Sequence, residues 1–137
     1  MIVIDSSAVI AIIEGEALAE ILTRRIVDDR IGQRCMSTAT YLETGTVLAG
    51  RQKTAPLSAV DILDGFLSSV SIDLVPVDEE QARIALKARI EFGRGFKSSA
   101  QLNYGDCFSY ALAKARSAPL LYIGNDFDKT DIARALA

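Results

Sequence analysis

The 137-residue sequence contains no histidine and no tryptophan. Without imidazole there is no His-based triad, no His general base, no imidazole-ligated zinc and no haem held by a proximal His. Chemistry is confined to carboxylates, hydroxyls, lysine and two thiols. Those thiols, Cys35 and Cys107, lie far apart in a chain long enough to bury a good core, so a disulfide scaffold is not expected and a reducing, cytoplasmic setting is. Proline and glycine are few, 3 and 9, which excludes collagenous and low-complexity chains. Positive charge is not in excess: 15 Lys and Arg stand against 18 Asp and Glu, a net of −3. No whole-molecule field therefore attracts nucleic acid or an anionic membrane, and any such contact needs a local patch. Long apolar runs are missing too. The charge-free stretch at 6–13 is far shorter than the roughly 20 residues that span a bilayer, and no basic segment precedes it, so neither secretion nor membrane insertion is expected.

What is present is an apolar half, 50% of residues, patterned for one domain over residues 1–137. Ile2-Val3-Ile4 is a β-branched run that reads as a buried strand, with Ser6 and Ser7 as capping hydroxyls for a helix at 8–13. Helical spacing continues at 17–27, with Glu20, Arg24 and Asp28 on a solvated face. Arg34-Cys35-Met36 predicts a short strand, and Ser37 or Thr38 caps a helix running to Gly50 whose inner side includes Ala39, Glu43 and Val47. Pro56 opens a helix reaching Val70, and a strand follows at 72–77. Asp78-Glu79-Glu80 puts negative charge where a helix N-terminus favours it, and Gly93 ends that helix. A polar loop at 94–104 leads to a helix opened by Tyr104-Gly105-Asp106. A strand at 119–123, turn chemistry at 124–128 and a short terminal helix with Ile132 and Leu136 complete the pattern. Strands alternating with helices predict a three-layer α/β/α sandwich around a parallel sheet, in which ligands collect beyond the carboxyl ends of the strands.

Four acids stand where such a sheet gathers its ligands. Asp5 and Asp126 follow predicted strands, Glu43 lies on the inward side of a helix, and Asp106 begins another. Each has a plain structural use: Asp5 as a cap, Glu43 in a buried ion pair, Asp106 with a helix dipole, Asp126 in a turn. Together they form a set that repels itself unless a cation joins it. Oxygen-only ligands select Mg²⁺ or Mn²⁺, ions that activate water and stabilise oxyanions in phosphoryl chemistry.

The segments that carry these acids resemble a known family. Residues 2–8 (Ile-Val-Ile-Asp-Ser-Ser-Ala) resemble the opening motif of PIN domains, Tyr41-Leu42-Glu43 the helix bearing their second acid, and residues 103–113 the third-acid motif. Residues 120–132 resemble the family's final strand and tail, and the whole is similar to the VapC-type toxins. The resemblance implies a PIN-like fold and a Mg²⁺-dependent endoribonuclease that hydrolyses RNA. It also implies inhibition by a VapB-type antitoxin, with homodimers and toxin–antitoxin hetero-oligomers as assemblies. Asp5, Glu43 and Asp106 match the core acids. Many relatives carry an acid at the position of Gly124, which leaves Asn125, Asp126 or Asp128 to supply the fourth contact, with Asp126 preferred. Ser6, Ser7 and Thr130 are supporting candidates that hydrogen-bond an acid or a ligated water.

A nucleophilic serine is not expected, because no base of the His type exists to activate it. The basic residues Arg51, Lys53, Arg94 and Lys97 form a candidate patch for RNA phosphates. Val9, Ile10, Ile12 and Ile13, with the helix at 17–27, are candidates for the wall of an antitoxin groove. Two other classes compete: a PIN-like binding module without hydrolysis, against which the intact acids argue, and a haloacid-dehalogenase-like phosphohydrolase. The latter needs a second Asp two residues after the first, where this chain has Ser7.

Overall fold

Four short strands form the parallel sheet: β1 (Ile2–Ile4), β2 (Arg34–Ser37), β3 (Ile72–Val75) and β4 (Leu120–Leu121), in the order β3-β2-β1-β4. The computed structural model describes residues 1–29, 32–52 and 54–136. The two-residue alternation of strand side chains divides the core. Ile2, Ile4, Met36 and Leu121 point to one face and Val3, Cys35 and Leu120 to the other.

Helices α1 (Ser6–Ile13), α2 (Ala19–Val27), α3 (Thr38–Arg51) and α4 (Ser58–Ser69) cover the first face. Helices α5 (Glu79–Phe92) and α6 (Asp106–Ala115) cover the second. Leu22, Leu63 and Leu112 are each at most 1% exposed, and burying such a side chain contributes about 1.5–3 kcal/mol. The chain leaves β1 toward β2 on one side and returns as β4 on the other, so the sheet's topological switch point lies beside β1. Ligand crevices form at that place.

The structure departs from the sequence pattern at two places that matter for the site. Among the described residues the terminal helix does not form. Residues 133–135 instead lie against the edge of β4, with Leu120 N donating to Ala133 O and Ala135 N to Leu120 O, both at 2.9 Å. Pairing the open edge of β4 satisfies backbone groups that a helix there would leave exposed. On α3 the fully buried residues are Thr40, Thr44 and Leu48, one position away from the expected stripe of Ala39, Glu43 and Val47. The threonines disguise that face. Thr44 Oγ1 donates to Thr40 O at 2.7 Å, which lets a hydroxyl enter the core with its hydrogen bond made.

Candidate active site

Asp5 leaves the carboxyl end of β1 and is both a helix cap and a site residue. Its Oδ2 accepts from Ser7 N at 3.0 Å and Ser7 Oγ at 2.7 Å, capping α1, while Oδ1 accepts from Ser109 Oγ at 2.6 Å. The N-terminus of α1 favours the negative charge so placed. Ser7 Oγ also accepts from Ile123 N at 3.2 Å, tying Asp5 to the segment that follows β4. Ser6, the next residue, donates from Oγ to Glu43 Oε1 at 2.7 Å. The consecutive serines thus orient two different acids.

Asp106 opens α6 through a reciprocal pair with Asn103: Asn103 N donates to Asp106 Oδ2 and Asp106 N donates to Asn103 Oδ1, each at 3.0 Å. This is the logic of a capping box with Asn and Asp at the two ends. Asp106 is 6% exposed, and burial pushes its pKa up to about 7. The Asn103 hydrogen bond opposes that rise, and the charges of Asp5, Asp126 and Glu43 add to it. Glu43 is half-buried, and desolvation raises its pKa against the Ser6 hydrogen bond, with Asp5 adding a smaller push in the same direction. Asp126 stands exposed on the turn after β4.

Asp5, Glu43, Asp106 and Asp126 line one cavity of about 350 Å³, together with Ser6, Ser7 and Asn103. The acids surround this cavity rather than meet at its centre: among the described residues, no three acidic or thiol side chains already stand clustered as ligands of one ion. Asp5, Glu43 and Asp106 each lean on their own donors. The donor set still fits a hard divalent cation. It is all oxygen, and Glu43 Oε2 and Asp106 Oδ1 accept no hydrogen bond among the described residues.

The remaining sequence candidates separate. Asp128 is engaged elsewhere, accepting from Tyr122 Oη at 2.9 Å and Arg134 Nη1 at 3.3 Å. Gly124 has φ +86°, a left-handed conformation that favours glycine. Thr130 closes a turn, donating to Phe127 O at 2.7 Å, and does not line the cavity. Arg51 lines the cavity and pairs with Glu14. Arg94 and Lys97 are exposed on the loop between α5 and α6 and do not line it. Lys53 lies outside the described residues. Sequence reasoning missed Ser109, Asn103 and Thr40, whose hydroxyl lies 3.1 Å from that of Ser109. Ser109 was findable, since a polar residue three positions after Asp106 shares its side of α6.

The expected groove wall holds in part: Ile10, Ile12 and Ile13 are partly buried, and Ile21 and Val27 are exposed on α2. Val9 is fully buried and Ile10 lines the acid cavity. A further apolar groove lies between α3 and α4, a cavity of about 250 Å³ walled by Leu42, Ala49, Pro56, Leu57, Val60 and Leu63.

A parallel sheet with acids lining a cavity at its carboxyl edge is open to more than one class of hydrolase, and comparison with known proteins decides among them. Residues 2–133 match the PIN domain. Ribonuclease VapC of Mycolicibacterium smegmatis is 45% identical over 131 residues, 96% of this chain and 97% of that protein. Two solved structures share the fold. VapC20 of Mycobacterium tuberculosis, a sarcin-ricin-loop-cleaving toxin, has a TM-score of 0.75 at 18% identity, covering 97% of each chain. VapBC2 of Rickettsia felis, bound to a promoter DNA fragment, has a TM-score of 0.71 at 15% identity, covering 98% of this chain and 96% of that one. The chain belongs to the PIN domain family and, within it, to the VapC ribonucleases.

Proposed function

We propose that this chain is the endoribonuclease toxin of a toxin–antitoxin pair, using Mg²⁺ or Mn²⁺ held by Asp5, Glu43, Asp106 and Asp126. The observation that carries the reading is Asp106, a carboxyl buried at a helix start with three more acids around its cavity. Burial and the neighbouring acids raise its pKa toward neutrality, the kind of perturbation that clusters at functional sites. When bound, the cation lowers the pKa of a water and stabilises charge developing at phosphorus. Ser7 and Ser109 fix the two oxygens of Asp5, Ser6 orients Glu43 and Asn103 orients Asp106, so the acids are aimed before any ligand arrives. Arg51, Lys53, Arg94 and Lys97 guide RNA phosphates toward the cavity.

The antitoxin is of the VapB type. VapBC2 supports such a partner, and the apolar groove between α3 and α4 suits the apolar side of an amphipathic segment. An Arg or Lys from that segment reaching the acids would silence the site. Homodimers and toxin–antitoxin hetero-oligomers are the expected assemblies, checked by light scattering with and without antitoxin. The test of function is cleavage of single-stranded RNA by purified, antitoxin-free protein with Mg²⁺, with Mn²⁺ and with EDTA. Cleavage that persists in EDTA, or an Asp106→Asn variant as fast as wild type, would overturn the assignment.

A further inference from the structure

We infer that Gly105 is a positioning residue for Glu43, whose carboxylate occupies the space that a side chain at residue 105 would fill. The inference rests on the reading of the acids as a divalent-cation site. A Cβ built on Gly105 would lie 1.5 Å from Glu43 Oε2, 2.6 Å from its Cδ and 3.2 Å from Oε1. No residue other than glycine coexists with the acid in that pose.

The backbone makes no such demand. Gly105 has φ −64° and ψ −38°, ordinary right-handed helical values open to any residue. Gly95 and Gly124 are the opposite case: their φ values of +94° and +86° favour glycine, and nothing lies within 4 Å of the Cβ position. What excludes a side chain at Gly105 is therefore the end of one flexible side chain, Glu43, rather than the course of the main chain. Glu43 is held between two neighbours, the Ser6 hydroxyl on Oε1 at 2.7 Å and the bare Cα of Gly105 against Oε2. Because Gly105 immediately precedes Asp106, one residue sets how closely the acid of α3 approaches the acid that opens α6.

A methyl group here should leave the fold standing and move the acid. Gly105→Ala suits the local φ and ψ and restricts the unfolded chain, so its melting temperature in EDTA is expected to be no lower than that of wild type. Mn²⁺ affinity, measured by calorimetric titration of the full chain without nucleic acid, is expected to fall at least about tenfold, the scale of losing a residue that orients a ligand. Glu43→Asp withdraws the carboxylate by one methylene and clears the space. The double variant Gly105→Ala/Glu43→Asp is therefore expected to bind Mn²⁺ within about twofold of Glu43→Asp alone, the non-additivity of two changes acting on the same pair of residues.

Gly105→Ala with wild-type Mn²⁺ affinity would overturn the inference. So would a double variant about tenfold weaker than Glu43→Asp, because Gly105 would then act by another route. If Gly105→Ala fails to fold while the double variant folds, Glu43 is the obstruction and the inference stands; if both fail to fold, it falls. Wild-type protein that binds no Mn²⁺ would overturn the cation reading itself, and the role of Gly105 with it.

Discussion

Helix α3 borders two unlike surfaces. On one side Glu43 and Arg51 line the acid cavity, where Ser6, Ser7, Ser109 and Asn103 each donate to a carboxylate. On another side Tyr41, Leu42, Gly45 and Ala49 line the groove shared with α4, where Leu42 is 69% and Leu57 is 83% exposed. The first surface is over-determined by hydrogen bonds and strained by like charge. The second is relaxed, apolar and uncovered. A residue in the cavity therefore trades stability against chemistry, whereas an exposed groove residue such as Leu42 or Leu57 contributes little to the fold and is free to serve a partner.

The sharpest way to separate the two surfaces is to neutralise Asp106. Asp106→Asn keeps the side chain's size and removes a buried charge, so RNA cleavage should fall by more than the ~10–100-fold that follows loss of an outer partner of a metal ligand. The same variant should melt higher than wild type in EDTA at pH 8. A variant that cleaves normally would dissolve the contrast between cavity and groove.

The pH dependence of stability comes next in size. Asp106 titrates near 7 in the folded protein, above the 3.8 of an ordinary aspartate, so the unfolded chain gives up this proton first as pH rises. The folded state then loses stability between about pH 4 and pH 7 and levels off above, by an amount on the order of 4 kcal/mol. Glu43, also raised, adds to the same slope. Melts in EDTA across that range should fall with pH in wild type and fall much less in Asp106→Asn. At pH 8 a cation at a hundredfold excess over its Kd should restore about 2.7 kcal/mol.

Groove substitutions should show the reverse pattern. Leu57→Ser is expected to change stability by no more than about 0.5 kcal/mol and to leave cleavage intact. It should weaken antitoxin binding by roughly ten- to a hundredfold, the value of one buried Leu side chain, as read by calorimetry. The smallest effect is expected on the loop between α5 and α6. Replacing Arg94 and Lys97 with Ala should weaken RNA binding a few-fold and flatten its salt dependence by about 0.7 in log–log slope for each phosphate no longer neutralised. Equal losses for RNA and antitoxin would show that the loop does not discriminate between them.

The contrast between the surfaces also explains what the sequence made legible. Strand ends, helix starts and turns are marked by residues with few alternatives, so Asp5, Asp106 and Asp126 are legible from position, and Glu43 from a charge on an apolar side of a helix. The family motifs then join them. The groove between α3 and α4 is not legible in sequence because Leu42 and Val60 look the same there whether they pack inward or face solvent. Thr40 and Thr44 do not stand out as core residues, because a threonine enters a core only when its hydroxyl finds a partner, which depends on the fold. The terminal segment reads as a helix on its apolar spacing. The free edge of β4 draws it into an extended path, which depends on the folded sheet, and Arg134 pairs with Asp128 six residues earlier. Gly105 reads only as a helix-start glycine until Glu43 is seen against it.

The central claim is that four carboxylates from separate elements make one divalent-cation site. Anomalous scattering from a crystal of the chain soaked in Mn²⁺ tests it most directly. A peak is expected inside the cavity, within coordination distance of Asp5 and Asp106, with Glu43 and Asp126 facing it directly or through water, and it is expected to disappear in Asp106→Asn. No peak at Mn²⁺ concentrations that support RNA cleavage, or a peak elsewhere with cleavage intact, would contradict it.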